Sequence, residues 1–429
     1  MPLDSLRAVQ YNAGVKSFEP SNHPSPPATV VGSARRATSL MFIIDGAGFG
    51  VWAALLPALQ TRHGLSEAEL GGALFGMVAG AVLAMSGIGR IIAAFGSARA
   101  LAFVAPLYAL ALVGPALAPT FACVVVAATL FGLFKGSFDV SVNAQALTVE
   151  NAAGRPIMAS FQACWSLGGL GAALLAGGAL RFGFSPAVIT LAAAGGLFVA
   201  GIMSFRRLLP EPMATASGTG RGIFHPAILP VGVLAFTALF TEGVLMDWGA
   251  VYAANVAGAA AWLAPLAYGA FCSAMAFGRL VGDRLVARMG ATTMLRLSGA
   301  LTVAGLILVV SVHAWPATFV GLLIAGLGLS NLVPIFLKAA GAAHPAGPAQ
   351  GVAAVSSIGY IGFLSGPPII GWMSSGMGLP LAFAAVALLA SMIAFQGPSL
   401  LNRSRMKRST VVRKERRVDL PVSQKEVTA

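Results

Sequence analysis

The 429-residue sequence predicts an all-α membrane protein: twelve transmembrane helices in two six-helix pseudo-repeats. Three observations carry the prediction. Apolar residues make up 57% and charged residues 10% of the chain, against roughly 45–50% and 25% in soluble domains. The apolar residues gather into stretches of about 20, the length that crosses a 30 Å hydrocarbon core as a helix. A segment near residue 90 also recurs in the second half at an offset of 194 residues, Gly96 matching Gly290.

In chain order the spans are expected at 39–60, 69–88, 100–117, 121–142, 158–180 and 186–205, then 228–252, 262–281, 294–313, 318–338, 352–374 and 380–397. No segment alternates apolar and polar residues for long, so a β-barrel is excluded. Residues 1–38 are polar and rich in Pro and Ser, lack the apolar core of a signal peptide, and are expected to be disordered. Residues 39–205 form the first six-helix half, 206–226 a polar linker, 227–400 the second half and 401–429 a basic tail.

The net charge of +13 raises a nucleic-acid reading, which the placement of the charges removes. With the amino terminus in the cytoplasm, Arg62 and Arg181 are the external cations, Lys135 lies inside a helix, and the other Lys and Arg residues all fall on the cytoplasmic side. That bias places both termini in the cytoplasm, and a bacterial inner membrane is the expected location. Cys123, Cys164 and Cys272 stand alone in separate apolar stretches, which excludes a disulfide framework and a CxxC zinc site. GxxxxGK[ST], HExxH and GxSxG are absent and the five histidines lie in loops or at span ends. No enzyme, cofactor or metal is expected.

The repeat is read from paired positions. Gly89–Gly96 and Asp283–Gly290 align at Arg90/Arg284, Ala93/Ala287 and Gly96/Gly290. Asp45-Gly46 with Trp52 in span one echoes Glu242-Gly243 with Trp248 in span seven, and Trp165, shifted by the 194-residue offset, falls within one residue of Tyr360. Paired halves of this kind place a binding site at mid-membrane between them.

Gly278-Arg-Leu-Val-Gly-Asp283-Arg284-Leu-Val-Ala-Arg288-Met-Gly290 resembles the loop signature of the major facilitator superfamily. Span count, cytoplasmic termini and the 6+6 repeat agree with the major facilitator fold. Asp139, Asn143-Ala-Gln145, Glu150, Arg155-Pro156 and Ser160 through Trp165-Ser166-Leu167-Gly168-Gly169 resemble the branch that includes the fucose permease, as does Glu242-Gly243 followed by Asp247-Trp248. Two departures stand out. Ala93 and Ala94 occupy positions where the signature carries charge, which implies unequal gates, and Gln162 stands where near relatives carry His.

Ionisable groups at helix centres are costly in lipid and serve ions or solutes. Asp45, Lys135, Asp139 and Glu242 lie well inside spans, and Asp247 lies near the outer end of span seven. Lys135 and Asp139, four apart, share a helix face, with Asn143 and Glu150 continuing the stripe. They form either a structural ion pair or a polar wall that exchanges partners with a solute, and Lys135 is a gating candidate. Asp45 has no basic neighbour on its own span, and Phe49 and Trp52 extend its face as an aromatic platform for a sugar or a flat cation. Glu242 has no Lys or Arg in its span, so it either takes up and releases protons or hydrogen-bonds a neighbouring helix as a neutral acid.

Glu242, Asp45 and Asp139 are thus the expected proton-coupling groups, and the fucose permease resemblance implies that Asp45 and Asp139 handle proton and sugar. Phe49, Trp52, Asn143, Gln162, Trp165, Asn331 and Tyr360 are expected to line the solute site, and Asp283, Arg284 and Arg288 to gate it. The expected function is secondary transport of a small polar, sugar-like solute by a proton-coupled monomer in the lipid bilayer. Proton/drug antiport and a non-transporting sensor are the alternatives.

Overall fold

A computed structural model describes residues 27–210, 225–345 and 347–418, with side chains up to residue 399 except at 86 and 349. It is almost wholly helical. The first half contains α1 (Ala28–His63), α2 (Glu67–Phe95), α3 (Ser97–Ala111), the short α4 (Val113–Leu117), α5 (Phe121–Ala153), α6 (Met158–Arg181) and α7 (Pro186–Phe205). The second contains α8 (Leu229–Asn255), α9 (Ala264–Met289), α10 (Ala291–Ser311), α11 (Trp315–Leu329), α12 (Leu332–Ala343) and α13 (Pro348–Val418). α3 and α4 together make one crossing, as do α11 and α12. The membrane-length part of α13, Gln350–Ser399, spans 50 residues. At 1.5 Å per residue that is about 75 Å, enough for two crossings, and Gly378 breaks it with a φ of 79°. Twelve crossings result.

Local chemistry sets the ends. Ser66 and Glu69 form a reciprocal capping box that starts α2. Thr120 accepts a hydrogen bond from the Cys123 amide to start α5, and Ser185, followed by Pro186, starts α7. The chain reverses at glycines. Among the described residues every positive-φ position is Gly, and the eight fall into four pairs: 64/258, 96/290, 154/347 and 183/378. These separations lie within one residue of the sequence offset, so the repeat is written into the backbone turns. A side chain with a Cβ is strained at these angles.

Helix pairing repeats as well. α1 packs on α6 as α8 packs on α13, and α2 on α5 as α9 on α11. α3 packs on α5 and α7 as α10 packs on α11 and α13. The halves then meet through α6 against α9 and α2 against α13, with α1 facing α8. At Gly71 and Gly371 the α2 and α13 backbones approach so closely that a Cβ on Gly71 would lie 2.8 Å from the Gly371 Cα.

Three expectations are corrected. α1 begins at Ala28 rather than at residue 39, so part of the segment expected to be disordered is helical; residues 1–26 lie outside the described residues. The signatures at 89–96 and 283–290 are not loops but the last turns of α2 and α9, ended by Gly96 and Gly290. Residues 211–224 of the linker and 419–429 of the tail lie outside the described residues, while the α13 helix continues past the expected span end to Val418.

Candidate functional site

α1, α5 and α6 bring the first charged group together. Lys135 on α5 lies 3.2 Å from Asp45 Oδ1 on α1 and 2.8 Å from Asp139 Oδ2 one turn along its own helix. The Trp165 indole on α6 donates to Asp45 Oδ2 at 2.9 Å, and the Tyr108 hydroxyl donates to the Asp45 backbone carbonyl at 2.8 Å. α1 and α6 pack tightly here: a Cβ at Gly46 would run into the Trp165 carbonyl. The Lys135 ammonium lies 5.8 Å from the Phe49 ring centroid and 5.9 Å from that of Trp165, within cation–π range. Phe49 and Trp165, rather than the expected Phe49 and Trp52, form the aromatic surface here, and it already faces a cation.

Asp45 has no basic neighbour on α1, as its own span indicated, but it is not isolated. Its partner comes from α5, ninety residues along the chain. Trp52 is also relocated. It packs at a tilt against Phe131 with centroids 5.6 Å apart and lines a crevice of about 40 Å³ with Pro115 and Thr190 inside the first half.

A second charged group spans the halves. Arg279 on α9 pairs with Glu242 Oε1 on α8 at 3.1 Å. Its other terminal nitrogen donates to the Ser166 hydroxyl at 2.9 Å and the Gln162 carbonyl at 3.2 Å, both on α6. Glu242 was expected to lack a cation; the neighbouring helix supplies one. The sequence reading missed Arg279 as a site residue, although it falls inside the expected span 262–281. Tyr268 on α9, also missed, has its ring 6.4 Å from Phe49 across the interface.

Tyr360 on α13 joins the two groups. It lies close enough to Asp139, Asp45 and Glu242 to feel all three carboxylates. Gln162 donates to Asn143 at 3.2 Å, and Asn143 donates to the Asp139 carbonyl at 2.8 Å. Glu150 accepts from the Ile157 and Met158 amides, both at 2.6 Å, and so caps the start of α6. Asn331 is held in the break between α11 and α12, where it donates to the Gly278 carbonyl at 3.0 Å. That places it in packing within the second half. Asp247 is buried, and its Oδ1 has no hydrogen-bond partner among the described residues.

The two membrane faces differ. On the face away from the termini, Asn255 donates to Gln60 at 2.9 Å and the Arg181 guanidinium lies 4.4 Å from the Trp262 ring centroid. With the Gly71–Gly371 approach, these contacts seal that side. On the termini face a cleft of about 290 Å³ separates the halves, lined by Arg35, Arg155, Ser160, Arg279 and Asp283 among others. Asp283, Arg284 and Arg288 are exposed at the end of α9, and none of them makes an ion pair with a described residue. The expected gate contacts are absent from this open face.

Buried ion pairs stabilise a fold little once desolvation is counted. Their concentration where two halves meet therefore fits a site that handles polar cargo. The Major Facilitator Superfamily model matches residues 38–347. The chain belongs to that superfamily. It is 33% identical over 363 residues to an uncharacterised MFS-type transporter of Yersinia pestis, covering 84% of this chain and 94% of that one. It is 32% identical to the membrane protein MosC of Rhizobium meliloti, covering 83% and 88%. Among solved structures it is similar to the nucleoside transporter NupG (TM-score 0.71, 12% identity, 86% of this chain and 99% of that one). A bacterial homologue of human lysosomal Spinster, solved inward-facing and unoccupied, matches at TM-score 0.68 and 13% identity over 89% and 99%. At such identities the structures share the fold alone. This major facilitator is thus an integral membrane secondary transporter.

Proposed function

We propose that this transporter moves a small polar, sugar-like solute across the bacterial inner membrane by alternating access, with protons as the coupling ion. The observation that carries the reading is the meeting of two buried charged groups, Asp45–Lys135–Asp139 and Arg279–Glu242, around Tyr360 at the interface of the halves. In the monomer, residues 39–205 and 227–400 rock against each other, both termini being cytoplasmic. Phe49, Trp165, Gln162, Asn143 and Tyr360 then face the solute. Asp45, Asp139 and Glu242 carry the proton, and Lys135, Asp283, Arg284 and Arg288 serve the gate. The resemblance of the 139–169 segment to the fucose permease branch supports the sugar-like class.

Lys135 lies over both aromatic rings, which weighs against drug antiport, because a cationic drug would have to displace it. The test is a thermal-shift screen of the purified chain against sugars, acids and cationic amphiphiles, since a ligand of the folded state raises apparent stability. Hits are carried into proteoliposome counterflow with and without a pH gradient. Stabilisation confined to cationic amphiphiles would replace the uptake reading with antiport. Binding without flux would make the protein a sensor.

A further inference from the structure

The termini-face cleft carries a charge pattern that the bilayer does not require. Three guanidinium groups, from Arg35, Arg155 and Arg279, line it against one carboxylate, Asp283. Arg35 and Arg155 make no ion pair with a described residue. The excess of Lys and Arg usual on a cytoplasmic face accounts for arginines at helix ends. It does not account for Arg279, ten residues or about 15 Å inside the end of α9 at Met289. Nor does it account for convergence on one gap between the halves.

The hydrogen bonds of Arg279 point the same way. A guanidinium has five N–H donors in a planar fork suited to oxyanions. Three contacts are made here, to Glu242, Ser166 and Gln162, which leaves donors over.

We infer that the solute carries an oxyanionic group, which enters through the arginine-lined cleft and is received by Arg279 in exchange for the Glu242 carboxylate. The inference rests on the transporter reading above and narrows its substrate class from polar to acidic, a sugar acid or a phosphorylated analogue. Arg35 and Arg155 gather the anion at the mouth, and Arg279 holds it between α6, α8 and α9. A negative solute meeting Asp45 and Asp139 further in gives proton co-entry a reason: the proton offsets the added negative charge.

Two experiments on the full chain test this. Ala159 lines the cleft and is exposed. An Ala159→Cys variant, made in a Cys123→Ser background because Cys123 is the exposed native thiol, is reacted in nanodiscs with sulfonate-bearing and trimethylammonium-bearing methanethiosulfonates. The sulfonate reagent is expected to react roughly tenfold faster than the cationic one, with the bias falling in high salt and in Arg35→Gln and Arg155→Gln variants. Equal rates, a cationic preference, or a bias unmoved by both substitutions would overturn the inference.

The second experiment compares thermal stabilisation by D-galacturonate, D-galactose and inorganic phosphate. Galacturonate above galactose, with affinity cut about tenfold or more in Arg279→Lys, supports a carboxylate solute. Stabilisation by phosphate alone supports the same site with a phosphate source. Galactose binding as well as galacturonate overturns the acidic class and leaves the sugar transporter standing.

Discussion

The Arg279–Glu242 pair permits a thermodynamic cycle whose outcome is fixed by burial. The two side chains keep 15% and 7% of their surface exposed, so removing one partner strands the other in a poorly solvated place. Breaking a buried pair costs about 3–5 kcal/mol, and the residual exposure of Arg279 argues for the lower end. Glu242→Gln and Arg279→Met are each expected to destabilise by about 3 kcal/mol. The double variant removes both charges, gives up the Ser166 and Gln162 hydrogen bonds, and regains desolvation energy. Hydrogen bonds between membrane helices average about 0.6 kcal/mol, so the double variant is expected to lose only about 1–2 kcal/mol, less than either single one. Reversible unfolding in mixed detergent–SDS micelles, followed by tryptophan fluorescence, measures all four corners. If the double variant loses the sum of the single losses, the two groups do not interact and the pairing argument fails.

Three further outcomes follow from the same geometry. Trp165→Phe keeps the ring beside Phe49 but removes the indole donor to Asp45, so solute affinity should fall about five- to tenfold while stability moves by less than about 1.5 kcal/mol; unchanged affinity in equilibrium binding would take Trp165 out of the site. Gly71→Leu puts a side chain where the α2 and α13 backbones touch and should shift the population toward the state open on the far face, read as increased labelling of a cysteine at Gln60; unaltered labelling would show that this contact does not close the face. Asp283→Asn should slow turnover several-fold with solute affinity held within about threefold, because Asp283 is unpaired among the described residues here and acts when the cleft closes; wild-type turnover would remove it from the gate.

The crossings were legible in the sequence because lipid demands about 20 apolar residues per helix wherever the chain passes. The turns were legible too, since Gly96 and Gly290 recur where φ is 82° and 79°. Pairing across helices was not. Reasoning at i, i+4 found Lys135 with Asp139, yet no local rule links Lys135 to Asp45 on α1. Trp52 misled because it shares a helix face with Asp45 but stands seven residues, about 10.5 Å, further along it. At that height α5 presents Phe131 rather than Lys135. Arg279 was hidden by its neighbours: read as part of a signature ending at Gly290, it was placed with the loop charges, although its own position lies inside the apolar span. Asn331 looked like a site residue because polar groups in lipid attract suspicion, and its bond to the Gly278 carbonyl shows the commoner use, joining helices.

A ligand shifts a two-state equilibrium only through interactions that differ between the states. Contacts within one half, such as Lys135 with Asp45 and Asp139, travel with that half and by themselves favour neither state. Links between the halves break or change when they rock. At mid-membrane the described residues provide two such polar links: the electrostatic contact of Tyr360 with Asp139, between α13 and α5, and the hydrogen bonds of Arg279 to Ser166 and Gln162, joining α9 to α6. Each is tied to a carboxylate inside the site, Asp139 directly and Glu242 through its pair with Arg279. A proton or solute that changes the charge on either carboxylate therefore changes the strength of a bond that crosses the interface. Coupling in this chain needs no distant relay, because the groups that would sense the cargo are the groups that hold the halves together.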